Sequence, residues 1–252
     1  MDDQPDQPDG RRDERELDEQ HDALDQVVGP NEATGQPYGK LPYGKTPYTL
    51  AVVANLGKAD RDLVGMTVLA LLTQGERHTY DMHRQIVDTH KDFVTGLPRS
   101  MYHAVERLSR DGLIAAGETT REGGRPERTL YRLTDAGRAE LHARVRRLLQ
   151  TPDPDATLFV AALSFVGSLS VSDTRDALEI RATTLNDSAT SMRSHLGPLS
   201  ERLPRLLLVE LEYELARVSG ELAWVRALVA DLDSGALSWP ADLTKLVIEG
   251  DS

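Results

Sequence analysis

The apolar pattern along this chain begins abruptly at residue 63. LVGMTVLALL, residues 63–72, is apolar nearly throughout and predicts a buried helix, with Asp60 or Asp62 available as its cap and Gly75 as its end. The stretch TYDMHRQIVDTH predicts a second helix capped by Thr79. Its large side chains are expected mostly on one side of the helix: Tyr80, Met82, Ile86 and Val87.

A third helix is predicted in LPRSMYHAVERLSRDG, where Pro98 suits the first turn and Gly112 suits a left-handed cap after the last one. The residues at three- and four-residue spacing are expected to face the core: Met101, Ala104, Val105 and Leu108. That orientation turns the polar side chains near the helix start outward or obliquely: Arg99, Ser100, His103 and Arg107.

Two strands are predicted next, at residues 113–120 and 128–134, joined by the tip REGGRPE. Thr134 is a suitable cap for the following helix, DAGRAELHARVRRLLQ, and TPDP at 151–154 ends it. The order helix, helix, helix, hairpin, helix predicts a winged helix-turn-helix domain, in which the hairpin is the wing.

The C-terminal half carries a heptad pattern. Eight residues of one predicted helix are spaced alternately by three and four: Leu208, Leu211, Leu215, Val218, Leu222, Val225, Val229 and Leu232. An earlier helix starts after Ser170, has apolar residues seven apart, and is expected to end at Gly197 and Pro198. Such a seam needs a partner. Either a second copy of the chain packs on it, with the residues from Leu211 onward as dimerisation contacts, or the two helices pack on each other.

The expected fold class is therefore mainly α with a small β-hairpin: a winged helix-turn-helix domain plus a C-terminal helical, coiled-coil-like dimerisation domain. The expected segments are an acidic disordered tail (1–36), an N-terminal arm (37–60), the DNA-binding domain (61–150), the helical dimerisation and effector domain (151–240) and a C-terminal tail (241–252). The acidic tail has too few large apolar residues to offset the entropy of ordering.

The distribution of charge matters more than its total. The formal net charge is −12, yet residues 1–36 carry 12 acidic and 3 basic side chains, whereas residues 76–150 carry 11 acidic and 14 basic ones. Because salt screens charges beyond about 8–10 Å, a DNA phosphate responds to the local face of the protein. The net acidity therefore does not exclude DNA binding. A further hypothesis is that the acidic tail competes with DNA for the basic face.

The composition and the motifs that are missing argue against several classes of protein and site. The chain has no cysteine, which excludes a disulfide framework, and no apolar run approaches the ~18 to 20 residues of a membrane span. The acidic, proline-broken start lacks the features of a secretory signal, so we expect a cytoplasmic protein. The histidines lack the spacing of a metal motif, and the motifs of phosphate-binding loops and nucleophilic catalysis are missing. We therefore expect no metal, no cofactor and no enzyme activity.

The start of the third helix and the hairpin tip carry the candidate DNA contacts. An α-helix fills the major groove, where base edges are distinguishable, while a glycine-rich loop can approach phosphates and the minor groove. The candidates are Arg99, Ser100, Tyr102, His103 and Arg107 on the helix, and Arg121, Arg125 and Arg128 on the wing. The alternatives are solvated charges, ion pairs with neighbouring glutamates and, for Tyr102, packing of the ring.

Three linked motifs resemble the PadR family of transcriptional regulators: LALLTQGERHTYDMHRQI, PRSMYHAVERLSRDGLI and GRPERTLYRLTDAGRAEL. The family's Gly-Tyr at the second helix corresponds to Thr79 and Tyr80 here, and its third-helix tyrosine corresponds to Tyr102. The similarity covers residues 63–142 and extends more loosely to about residue 240, as in the longer members with a helical C-terminal domain.

The resemblance implies a homodimeric regulator, most often a repressor, which binds a palindromic operator in double-stranded DNA and is released by a small aromatic effector. Trp224 is the candidate effector contact because aromatic rings stack on flat ligands, although core packing explains a tryptophan at helical spacing equally well. A rival interpretation is a winged-helix protein-interaction scaffold without DNA binding. The equal numbers of acidic and basic residues at 76–142, 11 of each, keep this rival open.

Overall fold

A computed structural model describes residues 56–89, 99–120 and 128–240 of the chain, without the side chains of residues 119, 120 and 128. The helices are α1 (Leu63–Leu72), α2 (Thr79–Asp88), α3 (Arg99–Arg110), α4 (Asp135–Gln150), α5 (Ala156–Ser164), α6 (Val171–Ser200) and α7 (Val209–Ser234). The strands are β1 (Arg77–His78), β2 (Ile114–Thr120) and β3 (Arg128–Leu133). The expected fold class, mainly helical with a small β element, is confirmed. The predicted tails and most of the predicted arm lie outside the described residues.

Helix α1 forms the centre of the N-terminal core, and every residue from Gly65 to Leu72 is buried. It packs against α3 and α4. The Asp62 carboxylate accepts a hydrogen bond of 3.0 Å from the backbone N–H of Gly65, so Asp62 is the predicted cap. A helix that is apolar on all sides can be stable only when its neighbours cover it fully, which is the arrangement found here.

Helix α2 differs from its prediction in two respects. It begins at Thr79 itself, and His78 precedes it in extended conformation, because Arg77 and His78 pair with β3 as strand β1. Met82 and Ile86 are buried as expected, whereas Tyr80 is 59% exposed and Val87 54% exposed. The prediction of one shared apolar side was therefore wrong. Tyr80 and Val87 are seven residues apart and lie together on a second face of the helix.

The end of α3 agrees with the sequence. All four predicted core residues of this helix are buried. Gly112 has a φ of 71°, and the backbone N–H of Leu113 donates to the carbonyl of Leu108 at 2.9 Å, which is the hydrogen bond of a glycine-terminated helix. This turn leads directly into β2.

The three strands form an antiparallel sheet in the order β1, β3, β2, so that β3 is central. Thr134 joins the sheet to α4: its hydroxyl accepts from the Gly137 N–H at 3.0 Å and lies 2.9 Å from the Leu113 carbonyl, to which it can donate. A Cβ on Gly137 would lie 2.0 Å from that same carbonyl oxygen. The Thr-x-x-Gly motif therefore fixes the base of the wing against the start of α4.

Helices α6 and α7 pack along each other in the C-terminal half. Helix α6 continues through Gly197 and Pro198 to Ser200, so the prediction that these residues end it was wrong. Only two residues follow Pro198 within the helix, and a proline this close to a helix end removes a single backbone donor. The cap by Ser170 is confirmed, since its hydroxyl accepts from the Asp173 N–H at 2.9 Å.

Arg181, on α6, holds the helical half against the end of α4. Its side chain is only 2% exposed, and its Nη1 donates to the carbonyls of Leu148, Leu149 and Thr151 at 3.3, 3.3 and 2.9 Å. Its Nε donates to the Glu221 carboxylate of α7 at 2.7 Å. Burial lowers the pKa of the Arg181 guanidinium, and the ion pair with Glu221 partly offsets that effect.

Candidate nucleic-acid interface

Helix α3 presents a polar face on the side opposite its buried residues. Arg99, Tyr102 and His103 are exposed, Tyr102 by 58%, while Ser100 is partly buried. Positions 99, 102 and 103 are three and four residues apart, so the three side chains lie on one side of the helix. This is the arrangement that a helix needs to place several side chains against base edges in a major groove.

Two further exposed residues bear on the candidate interface. Glu106 lies one turn further on, with its carboxylate 4.0 Å from His103 Nδ1. The exposed Tyr80 lies in the first turn of the preceding helix, α2. Sequence periodicity assigned Tyr80 to the apolar side of α2, so its place on the surface was missed. Its separation of two residues from Met82, about 200° around a helix, would have indicated it.

Arg107 is bound within the chain. Its Nη2 donates to Asp62 Oδ2 at 2.5 Å, and Arg144 Nη1 lies 3.8 Å from the same oxygen. Asp62 is the cap of α1, so Arg107 ties the second half of α3 to the beginning of α1. This geometry favours a structural role for Arg107, and a direct DNA contact by this residue stays a prediction.

The wing is formed by β2 and β3. Their register pairs Ile114 with Leu133 and Thr120 with Arg128, with an irregularity between Ala116 and Thr119. Arg121 and Arg125 lie outside the described residues, as does the side chain of Arg128. Their proposed DNA contacts therefore stay predictions. Arg132, on β3, is exposed and was not among the candidates.

The residues of the predicted heptad seam are buried or partly buried within the fold of a single chain. Leu208, Leu211, Val218, Leu222, Val225 and Leu232 are buried, and Leu215 and Val229 are partly buried. Because α7 packs on α6 of the same chain, these contacts favour the intramolecular alternative for the seam. A role of these residues in dimerisation stays a prediction.

Trp224 lies beside the seam on α7, one residue before the buried Val225, and is 48% exposed. Its indole meets the ring of Phe159 edge to face, with centroids 6.0 Å apart, and the Arg181 guanidinium stacks 3.7 Å from the centroid of the same Phe159 ring. Trp224 is not part of the wall of the cavity described next. An effector contact by Trp224 stays a prediction, and the observed packing favours the alternative.

A cavity of about 600 Å³ lies between helices α1 and α4 on one side and the segments that follow α5 and α7 on the other. Its walls include Thr73, Arg138, His142, Phe165 and Trp239. The Trp239 indole N–H donates to the Leu169 carbonyl at 2.8 Å, which fixes the ring at the cavity wall. The sequence provided no indication of this cavity, because it joins residues that are up to 170 positions apart.

Across residues 56–89, 99–120 and 128–240, no group of three or more His, Asp or Glu side chains is placed to hold a metal ion. Within the same ranges, no helix is both long and apolar enough to cross a membrane. The features that distinguish this part of the chain are the exposed α3 face, the wing and the cavity.

Three helices, an antiparallel wing and a fourth helix, with a polar face on the third, define a winged helix-turn-helix protein. Residues 68–143 match the model of the transcriptional regulator PadR-like family. The resemblance indicated by the three motifs is thereby confirmed over these residues. The assignment of the chain to the longer members of the family stays a prediction.

Known relatives include the negative transcriptional regulator PadR of Bacillus subtilis (strain 168), 26% identical over 174 residues, which cover 66% of this chain and 95% of that protein. Among solved structures, B. subtilis PadR in complex with operator DNA is 22% identical with a TM-score of 0.33, covering 68% of this chain and 99% of that one. B. subtilis PadR in complex with p-coumaric acid is 20% identical with a TM-score of 0.30, covering 69% and 97%.

Proposed function

We propose that this protein is a dimeric, sequence-specific DNA-binding transcriptional regulator, a repressor that a small aromatic compound releases from its operator. The observation that carries the proposal is the polar face of α3, where Arg99, Tyr102 and His103 are exposed side by side. The PadR-like domain at residues 68–143 supports it, as does the name of the B. subtilis relative, a negative transcriptional regulator.

In this proposal α3 enters the major groove and the wing contacts the flanking backbone. Arg99 and His103 read base edges, Ser100 and Tyr102 contact phosphates or bases, and the wing arginines meet phosphates. Two copies of the domain double the number of phosphate contacts and read a palindrome with half-sites about one helical turn apart. The activity is binding and release in the cytoplasm, without a catalytic step.

We place the DNA-binding domain at residues 61–150 and the dimerisation and effector domain at 151–240.

The cavity beside Arg138, His142 and Trp239 is our candidate effector site, because it lies between the two domains. Aromatic walls favour a flat ring, and a cationic side chain favours a carboxylate. p-Coumaric acid, which B. subtilis PadR has been crystallised with, is therefore the first compound to test.

The test is selection of duplexes from a random library by the purified full-length chain, followed by anisotropy titration with the selected DNA. We expect a palindromic site whose affinity falls steeply with salt, as phosphate contacts require. Addition of p-coumaric acid, with aliphatic acids as controls, is expected to release the DNA. Enrichment of no sequence, together with a salt slope near zero, would favour the protein-interaction scaffold instead.

A further inference from the structure

The chain that leaves α7 turns sharply and then lies along the cavity. The backbone N–H of Gly235 donates to the carbonyl of Leu232 at 3.3 Å, and the N–H of Leu237 donates to the carbonyl of Asp231 at 3.0 Å. Gly235 has a φ of 75°, the left-handed conformation that commonly ends a helix and redirects the chain. We call residues 235–240 the strap, and residues 237–240 of it form part of the cavity wall.

The side chains of the strap alternate between the protein and the solvent. Leu237 and Trp239 are partly buried, whereas Ala236, Ser238 and Pro240 are exposed. This alternation is typical of an extended segment that has protein on one side and water on the other. The strap therefore covers the cavity with two large apolar side chains and has solvent on its outer side.

A hydrogen bond between distant residues closes the strap. The indole N–H of Trp239 donates to the carbonyl of Leu169 at 2.8 Å, and the two residues are 70 positions apart in the sequence. Leu169 directly follows the short 3-10 helix Val166–Ser168, which also forms part of the cavity wall. This hydrogen bond therefore joins the two segments of the wall that follow α5 and α7.

The opposite walls of the cavity are held more firmly than the strap. Ala70 and Leu141 on these walls belong to α1 and α4, two helices that pack against each other in the core. Residues 238–240 of the strap, in contrast, belong to no helix or strand of the described chain. Segments with an exposed backbone and few buried contacts open at the lowest cost in free energy. The strap is therefore the wall that opens most readily.

We propose that the strap is a movable cover of the cavity: it detaches when Trp239 releases the carbonyl of Leu169, admits an aromatic ligand, and closes again over that ligand. The cavity volume of about 600 Å³ is within the range of roughly 300–1,000 Å³ that such ligands occupy. The inference rests on the proposed function, in which this cavity is the effector site. It adds a control over how fast the effector enters and leaves.

Trp239→Phe tests the hydrogen bond, because it keeps an aromatic ring on the wall and removes the N–H donor. The net contribution of one hydrogen bond changes an equilibrium constant by roughly 2- to 10-fold. Because the strap is closed both before and after binding, we expect the association rate and the dissociation rate to rise together by that factor, with Kd unchanged. Trp224→Phe makes the same substitution outside the cavity wall and is expected to change neither rate.

The probe is anilinonaphthalene sulfonate, an aromatic anion whose emission rises when it leaves water, mixed with the full-length chain in a stopped-flow instrument. Ser164→Phe, at an exposed position on the cavity wall, is expected to weaken binding of the probe and so to locate it in the cavity. A cover that must open first limits the observed rate at high probe concentration. We therefore expect the rate to reach a plateau, and Trp239→Phe to raise that plateau.

A parallel rise of both rates in Trp239→Phe, and in neither rate of Trp224→Phe, supports the movable strap. A change confined to the dissociation rate would make Trp239 a fixed contact of the ligand and would overturn the proposal. Unchanged rates, no saturable binding, or binding that Ser164→Phe does not weaken would overturn it as well. Operator binding is measured separately, without the probe. A protein that binds its operator but shows unchanged rates loses only the strap, whereas parallel rate changes in a protein that binds no operator leave the strap standing and contradict the proposed function.

Discussion

Arg107 donates a hydrogen bond to Asp62 at 2.5 Å, which joins residues 45 positions apart in the sequence. Asp62 also caps α1 through its other carboxylate oxygen. One side chain therefore stabilises the start of α1 and orients the second half of α3, the helix that carries the candidate DNA contacts. Arg107 therefore holds α3 in place, whereas Arg99, Tyr102 and His103 on the same helix are exposed.

We predict that Asp62→Ala and Arg107→Ala both lower the free energy of unfolding. The pair is partly exposed, so a double-mutant cycle in urea is expected to give a coupling energy of about 1 kcal/mol. Asp62→Ala is expected to cost about 1 kcal/mol more than Arg107→Ala, because it also removes the cap. If Arg107→Ala instead leaves stability unchanged and abolishes operator binding, Arg107 is a DNA contact.

The buried Arg181 gives a second prediction. Arg181→Met removes the hydrogen-bonded partner of Glu221, which keeps Arg217 at 3.9 Å, and the donor to three backbone carbonyls. We therefore expect a loss of about 3–5 kcal/mol in urea-induced unfolding. Arg175, on the same helix as Arg181, forms a partly exposed ion pair with Asp233 of α7. Arg175→Met is therefore the matched control and is expected to change the unfolding midpoint little. Equal effects of the two substitutions would show that the contacts of Arg181 at the end of α4 contribute no more to the free energy of unfolding than an exposed ion pair does.

Gly137 tests the base of the wing. Gly137→Ala places a methyl group 2.0 Å from the Leu113 carbonyl oxygen, so either the strand or the start of α4 must shift. We expect a lower melting temperature and faster amide exchange in β2 and β3. Ala136→Ser changes the exposed neighbouring residue and is expected to leave both unchanged. An unaltered Gly137→Ala protein would mean that the close approach is relieved without cost.

The cavity predicts a dependence on charge in the effector. Arg138, on its wall, is exposed and can attract a carboxylate. If the cavity is the effector site, Arg138→Ala weakens DNA release by p-coumaric acid while leaving release by its uncharged methyl ester, and operator affinity without effector, nearly unchanged. Arg146→Ala, on an exposed turn of the same helix outside the cavity lining, is the control. Equal loss for acid and ester would remove Arg138 as the carboxylate contact.

The sequence predicted the elements whose signals are local. The caps at Asp62, Thr134 and Ser170, the left-handed Gly112 and the buried face of α3 all follow from residue types at fixed spacing, and the structure agrees. Features formed by distant residues were missed. Strand β1 is two residues long and exists only through its pairing with β3.

The same distinction applies to the candidate site. Periodicity placed Arg99, Tyr102 and His103 on the outer face of α3, but it could not reveal that Arg107 is held by Asp62. The heptad spacing identified a buried seam on α7 correctly, yet spacing alone cannot tell a partner in the same chain from one in a second copy.

Whether the exposed face of α3 reads DNA is tested most directly by comparing variants on the selected duplex. Arg99→Ala/His103→Ala is expected to lose about 1–3 kcal/mol of discrimination for each base contact, or roughly 5- to 150-fold, between the selected and a scrambled duplex. Arg110→Ala, exposed at the far end of the same helix, is expected to retain that discrimination. Equal discrimination by the wild type, the double variant and Arg110→Ala would contradict the account.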